Sequence, residues 1–307
     1  QAADEKGDHT LANGTVAVLQ MVDGIANVKQ FGAKGDDITD DTVAINLAVD
    51  SGTTTVYIPE GKYKTTEGIE PPNGVGLVGA GVTRTKIKYY GTATAVSFGD
   101  SPIVVNYGCS ISDLKIELVE KTSKGINLRA TVKATVKNII LEGLYLPYDN
   151  TRTNIGIHID GADASAFFNK FDSVLCNHMH ESFRIQTTGT LHATTQYFTN
   201  CTAFGDQATD NLSFGFRIGD GGTYIQEGQG TVITGGNVVF DTGMDMLVNQ
   251  PENFDMIVTN IPFSTEIKKK ILARLVEIDK PFIIILNFTN IFTKYMREIF
   301  EGKLDQL

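Results

Sequence analysis

Cysteine is scarce in this chain of 307 residues, and its three copies, Cys109, Cys176 and Cys201, are widely separated. An odd number at such spacing supplies neither a disulfide framework nor a zinc-ligand pattern. Buried free thiols are expected instead, because an unpaired cysteine behaves as a small core residue. No cofactor and no metal are expected. No apolar run of about 18 residues or more occurs, so no segment is expected to span a membrane. Cations are outnumbered, 26 Lys and Arg against 36 Asp and Glu, and the net charge of −10 argues against a nonspecific binder of nucleic acid or of an acidic membrane. An acidic glycan stays open as a partner, since a local basic strip can sit on an acidic body. Tryptophan is absent, whereas 31 glycines and long stretches rich in Thr, Asn, Val and Ile favour strands and tight turns over helices. The chain starts at Gln1 without Met or a signal-like apolar region, and is expected to be a fragment or a processed product.

Residues 1–26 are weakly patterned apart from an apolar run at Val16–Val22, and read as a linker or adaptor. In the segment that follows, Gly32 and Gly35 punctuate a turn. Thr39 or Asp40 then stands where it can N-cap a helix whose apolar stripe is Val43, Ile45, Leu47, Ala48 and Val49. The Asp40–Asp41 pair is accordingly expected to cap this helix and not to form a catalytic dyad. Gly52 ends the helix, and Val56-Tyr57-Ile58-Pro59 with Gly61-Lys62-Tyr63 reads as strand, turn and strand. A short helix at the head of a strand stack would cover the open end of a solenoid core.

These residues also carry a resemblance. The Phe31–Asp36 turn, the Thr39-Asp40-Asp41-Thr42 helix start, the Val56–Tyr63 strand pair and the closing Gly79-Ala80-Gly81 resemble, in that order, the N-terminal signature of the pectate-lyase-like superfamily. The resemblance implies a right-handed parallel β-helix capped by this segment, the fold of viral tailspikes and polysaccharide-degrading enzymes.

An internal repeat points to the same fold independently. Five tetrads recur: Gly125-Ile126-Asn127-Leu128, Gly156-Ile157-His158-Ile159, Ser182-Phe183-Arg184-Ile185, Gly215-Phe216-Arg217-Ile218 and Gly243-Met244-Asp245-Met246. Their spacings of 31, 26, 33 and 28 residues suit coils that carry different insertions. Each tetrad reads small, apolar, polar, apolar, the alternation of a strand with one buried face. Second strand candidates lie between them at 111–116, 136–141, 168–174, 198–204 and 232–240. Stacked in register, the polar third positions form one outward ladder, Asn127, His158, Arg184, Arg217 and Asp245, with rungs about 4.8 Å apart. Outward residues of this kind are expected to be solvated. Arg184 and Arg217 would be adjacent like charges, unfavourable unless a carboxylate or an anionic ligand lies near them. Asp160, Asp163, Glu181, Asp206, Asp210, Asp220 and Glu227 are the acidic candidates.

Two chemistries fit such a wall. A glycoside hydrolase needs two carboxyl groups roughly 5 to 9.5 Å apart. A polysaccharide lyase needs a cation on the uronate carboxylate and a base for the C5 proton. Arg184, Arg217 and His158 suit the lyase; Asp160 and Asp206 suit the hydrolase; Asn127 and Asp245 would bind substrate. Tyr145, Tyr148, Tyr197 and Tyr224 are the aromatics able to stack on sugar rings. His178 and His180 alternate so as to share one strand face, without a third group to complete a metal site.

After Val248 the texture changes to strand 254–259, amphipathic helix 264–278 with Ile267, Ile271, Leu275 and Ile278 on one side, apolar strand 281–287 and a second helix 292–300. Within it, Asp255–Ser264, containing Asn260-Ile261-Pro262-Phe263, resembles the catalytic motif of adenine-N6 DNA methyltransferases. That resemblance implies that Asn260 and the following carbonyl hold a target amino group while Phe263 stacks on a flipped base. Ile261 stands where the motif has its first proline, no glycine-rich cofactor loop precedes it, and the segment is too short to build a cofactor-binding sheet. It is expected to be an inactive remnant.

The expected architecture is thus all-β: a linker over 1–26, a right-handed parallel β-helix with an N-terminal capping helix over 27–250, and a small α/β appendage over 251–307. The expected function is that of a virion-associated or secreted, tailspike-like protein that binds and depolymerises a host surface polysaccharide. It would be a homotrimer alongside other virion proteins, without nucleic-acid or membrane partners. A noncatalytic fibre or capsid component built on the same rod is the alternative.

Overall fold

A computed structural model describes residues 9–17, 21, 23–99, 105–146, 151–161, 165–187, 192–205, 214–218, 231–235, 237–240, 257–260, 265–278, 282–285 and 298–299. Within residues 25–240 the chain winds repeatedly through three parallel sheets. One coil shows the cycle: Ser110–Leu118 lies in a long sheet, Lys124–Arg129 in a five-stranded sheet, Thr131–Val132 in a four-stranded sheet, and Thr135–Glu142 returns to pair beside Ser110–Leu118. Each return is a parallel crossover, the connection whose handedness is right-handed. The molecule is a right-handed parallel β-helix. The five-stranded sheet is built from β1 (Thr94–Phe98), β2 (Lys124–Arg129), β3 (Ile155–Asp160), β4 (Glu181–Gln186) and β5 (Phe214–Ile218).

The core follows from alternation along each strand and repetition between coils. Ile111, Val136, Phe171 and Phe198 stack in one inward column of the long sheet. Ile126, Ile157, Phe183 and Phe216 do so in the five-stranded sheet. Phe171 stacks on Phe198 and Phe183 on Phe216, each pair at 4.5 Å, and Phe198 meets both members of the second pair edge-on. Both arrangements are favoured by the ring quadrupole. The long strands bend at Asp113, Asn138, Ser173 and Asn200, which occupy equivalent places in successive coils with φ of 61°, 49°, 56° and 53°. Short polar side chains tolerate this left-handed conformation best, and Asn138 Nδ2 donates to Asp113 Oδ1 at 2.7 Å between two of the bends.

At the N-terminal end, Ile25–Asn27 pairs in parallel with Thr55–Ile58, so the stack starts across the boundary expected at residue 27. His9–Thr10 and Val16–Ala17 form a small antiparallel pair within the stretch read as a linker. The expected helix is Thr42–Val49, packed on that first strand, with Ile45, Ala48 and Val49 buried among Ala26, Val28 and Phe31. Val43, expected in its apolar stripe, is 71% exposed. The acidic pair divides its work. Asp40 Oδ1 accepts from the Thr42 amide and hydroxyl at the helix start. Asp41, although at the cap position, accepts instead from the Lys34 and Gly35 amides at 2.6 and 2.9 Å and ties down the glycine turn.

All three cysteines are buried free thiols, and burial pushes Cys109 up to about 12 and Cys201 up to about 11. Toward the C-terminus, Ile257–Asn260 and Phe282–Ile285 pair in parallel, joined by the helix Thr265–Ile278 with Leu272 and Leu275 buried. This is the strand–helix–strand order read from the sequence. Asn260 closes the first strand, and Pro262 and Phe263 lie outside the described residues.

Candidate functional site

The outer face of the five-stranded sheet carries the ladder. Register pairs Ser97 with Asn127, Asn127 with His158, His158 with Arg184, and Arg184 with Arg217. Asp245, expected as the next rung, lies outside the described residues. Ser97 is a rung that the tetrad reading missed, although Ala95-Val96-Ser97-Phe98 repeats the small, apolar, polar, apolar pattern one coil earlier.

The ladder is not solvated as expected. Asn127, His158 and Arg184 are only 9%, 4% and 9% exposed, and Arg217 is half-buried. Apart from one ring nitrogen of His158, these side chains pair with one another along the face, as burial of polar groups favours. Asn127 Nδ2 donates to Ser97 Oγ at 3.1 Å, and its Oδ1 lies 2.9 Å from His158 Nδ1. Lys124 Nζ, from the start of β2, lies 3.4 Å from the same His158 nitrogen. His158 Nε2 is buried without a hydrogen-bond partner.

Burial, then the nearby charges of Lys124 and Arg184, depresses His158 to about 4 against the opposing pull of Asp160. Lys124 is also depressed, by burial first and by Arg184, while Asp160 and Glu181 oppose the shift. The face therefore holds a neutral imidazole and a weakened ammonium in contact.

The two arginines are reconciled by a carboxylate, as adjacent like charges demand. Glu181, 4% exposed, receives Arg184 Nη1 at 3.0 and 3.1 Å on its two oxygens and Arg217 Nη1 at 2.6 Å on Oε1. Arg184 Nε donates to Gln186 Oε1 at 2.8 Å. The arginine heads are thus fixed along two successive rungs. Asp160 lies on β3 opposite Gln186, whereas Glu181 lies opposite Ile155. The two carboxylate positions are offset by five residues along the strands, roughly 16 Å at about 3.3 Å per residue. Among the described residues, the face brings Lys124 against His158 and both arginines onto Glu181, whereas Asp160 and Glu181 stand five positions apart along the strands.

Of the remaining expected residues, Tyr197 stands elsewhere: it pairs with Lys170 and Val232 in the long sheet, because its strand is the second candidate of its coil and not a tetrad. Tyr148, Asp163, Asp206, Asp210, Asp220, Tyr224 and Glu227 lie outside the described residues. His178 and His180 occupy the turn between Lys170–Asn177 and β4 rather than a strand face, and they turn to different carboxylates. His178 Nε2 lies 3.4 Å from Glu142 Oε1, and His180 Nε2 lies 4.0 Å from Glu181 Oε1. Lys124 and Gln186 escaped the sequence reading because they flank the tetrads and only the fold brings them to the ladder.

A family model described as rhamnogalacturonase A/epimerase, pectate lyase-like matches residues 25–272. Among curated proteins, mannuronan C5-epimerase AlgE2 of Azotobacter vinelandii is 47% identical over 73 residues, 20% of this chain and 7% of that protein. The pre-neck appendage protein of Bacillus phage phi29 is 34% identical over 116 residues, 36% of this chain and 13% of that protein. The chain therefore spans a small part of the length of these relatives. Among solved structures, the enzymatically active domain of bacteriophage CBA120 tailspike protein 2 superposes with a TM-score of 0.49 at 16% identity, covering 78% of this chain and 38% of that one.

Proposed function

We propose that this chain, which belongs to the rhamnogalacturonase A/epimerase, pectate lyase-like family, is the β-helix of a virion-associated, tailspike-like protein that binds an acidic polysaccharide on a host surface and cleaves it by β-elimination. The observation that carries the reading is the arginine pair on adjacent rungs, held by Glu181 beside the Lys124–His158 contact. In the elimination, Arg184 and Arg217 hold the carboxylate of a uronate unit and stabilise the charge that develops on it. A base removes the C5 proton, the electron pair forms the C4–C5 double bond, and the glycosidic oxygen on C4 departs and is protonated by water. Lys124 is half-buried, lies 3.4 Å from His158 Nδ1, and is held below the usual lysine range by burial and by Arg184. Lys124 is therefore assigned as the base, while His158 keeps its proton on Nδ1, which donates to Asn127 Oδ1. Asn127 orients His158, and Asp160 balances the local positive charge.

The names of partial relatives, an epimerase of mannuronan and a phage pre-neck appendage protein, support the substrate class and the virion location. Assembly as a homotrimer with other virion proteins belongs to the same proposal. The burial of Asn127, His158 and Arg184 favours a second reading, a noncatalytic rod whose outer ladder serves stability.

The test is incubation with a panel of acidic and neutral polysaccharides, following ultraviolet absorbance of unsaturated ends together with new reducing ends. Both signals rise together on uronate polymers if elimination occurs. Reducing ends alone would mean hydrolysis, and silence on every polymer would favour the rod.

A further inference from the structure

We infer that Tyr145 and His178 form a stacking subsite for the apolar face of a sugar ring, at the rim of the long sheet and one turn away from the arginine pair. The inference rests on the polysaccharide reading above. Tyr145 is 56% exposed and Leu144 beside it 41%, an apolar pair left in water next to Glu142, Asn177 and Lys115. The Tyr145 ring meets the His178 ring edge-on, with centroids 4.9 Å apart. His178 is in turn held by Glu142, whose other oxygen accepts from Asn177 Nδ2 at 3.3 Å and from Lys115 Nζ at 3.2 Å. An exposed aromatic face ringed by fixed hydrogen-bonding groups is the surface that a hexose fits, with its C–H face on the ring and its hydroxyls on the rim.

The platform is rigid because the turn beneath it is rigid. Asn154, fully buried, donates from Nδ2 to the His178 carbonyl at 3.0 Å and accepts at Oδ1 from the His180 amide at 2.9 Å. Met179 between the two histidines is buried in the core. Gly143 passes so close beneath that a Cβ there would lie 2.2 Å from the His178 carbonyl oxygen and 2.4 Å from Asn154 Nδ2. Only glycine lets the chain pass at this distance and deliver Tyr145 against His178. The same turn leads directly into Glu181, the carboxylate that holds Arg184 and Arg217. His178 and Glu181 are three residues apart, at most about 11 Å of chain. One polymer chain can therefore touch the platform with one unit and the arginine pair with a neighbouring one, and preorganisation of both ends makes the contacts additive.

The test is affinity electrophoresis of the full chain in gels containing polymannuronate, polygalacturonate or dextran, comparing wild type with Tyr145→Ala, Tyr145→Phe and Gly143→Ala. Tyr145→Ala is expected to weaken retardation by the retained acidic polymer roughly five- to tenfold, with Tyr145→Phe recovering most of the loss. Gly143→Ala is expected to weaken it as well, by displacing the turn. Wild type retarded by an acidic polymer, with Tyr145→Ala retarded equally, would overturn this subsite and leave the arginine site standing. Wild type retarded by none of the polymers would overturn the polysaccharide reading and the subsite with it.

Discussion

Arg184 and Arg217 stand on adjacent rungs, and a single Glu181 oxygen receives a hydrogen bond from each. That arrangement was largely legible in the sequence. Two arginines at the same place in successive tetrads announce the conflict, and Glu181 stood among the seven acidic candidates for resolving it; only the coil geometry singles it out and turns it toward both. Lys124, which flanks its tetrad, was missed. His158 makes the residue scale testable through pH. Its value in the fold, about 4, lies below the ordinary 6.5 of an unfolded histidine, so the unfolded chain takes up the proton first. The groups facing it are Lys124, Arg184 and Asp160, and burial dominates. Stability contributed by keeping this ring neutral is complete above pH 6.5 and is lost as pH falls through about 4, by about 3 kcal/mol. His180, also depressed by burial, adds in the same direction. Urea denaturation across that window should show the loss, and His158→Gln should reduce it by the larger part. An unchanged slope in the variant would mean that His158 is not the group that resists protonation.

At the scale of elements, the strands that alternate over several residues and repeat from coil to coil are the ones the sequence announces. The four described tetrads became β2 to β5, and each second candidate fell within the long sheet. The two-residue strands Asn106–Tyr107, Thr131–Val132, Ala166–Phe167 and Ala193–Thr194 could not be read, because two residues show no period. The left-handed bends at Asp113, Asn138, Ser173 and Asn200 left only a weak trace, since polar residues within a strand also serve as outward positions. The aromatic column is where an element can be broken cleanly. Phe183 is fully buried, stacked on Phe216 and edge-on to Phe198. Phe183→Ala should cost about 3 to 5 kcal/mol, measured by chemical denaturation. A loss below about 1 kcal/mol would show that the stacked column collapses around the gap and carries little of the stability.

For the whole molecule, a solenoid turns a sequence repeat into a repeated wall, so that one kind of contact recurs along an axis a linear polymer can follow. The family signature over Val28–Gly81 and the tetrads led to the same fold by separate routes, and the long sheet, the ladder register and the family match agree with both. Chemistry was less legible than architecture. A ladder position names a residue, but whether it is covered, paired or free depends on loops and flanking strands that the repeat does not encode.

The central claim is that this wall recognises a charged sugar through its arginine pair. The most direct measurement is binding of wild type and Arg217→Ala to polygalacturonate and to the same polymer with its carboxyl groups reduced to alcohols. The account predicts that wild type binds the acidic polymer at least tenfold more tightly than the reduced one, and that Arg217→Ala removes most of that difference while leaving the chain folded. Equal binding of both polymers by wild type would contradict it.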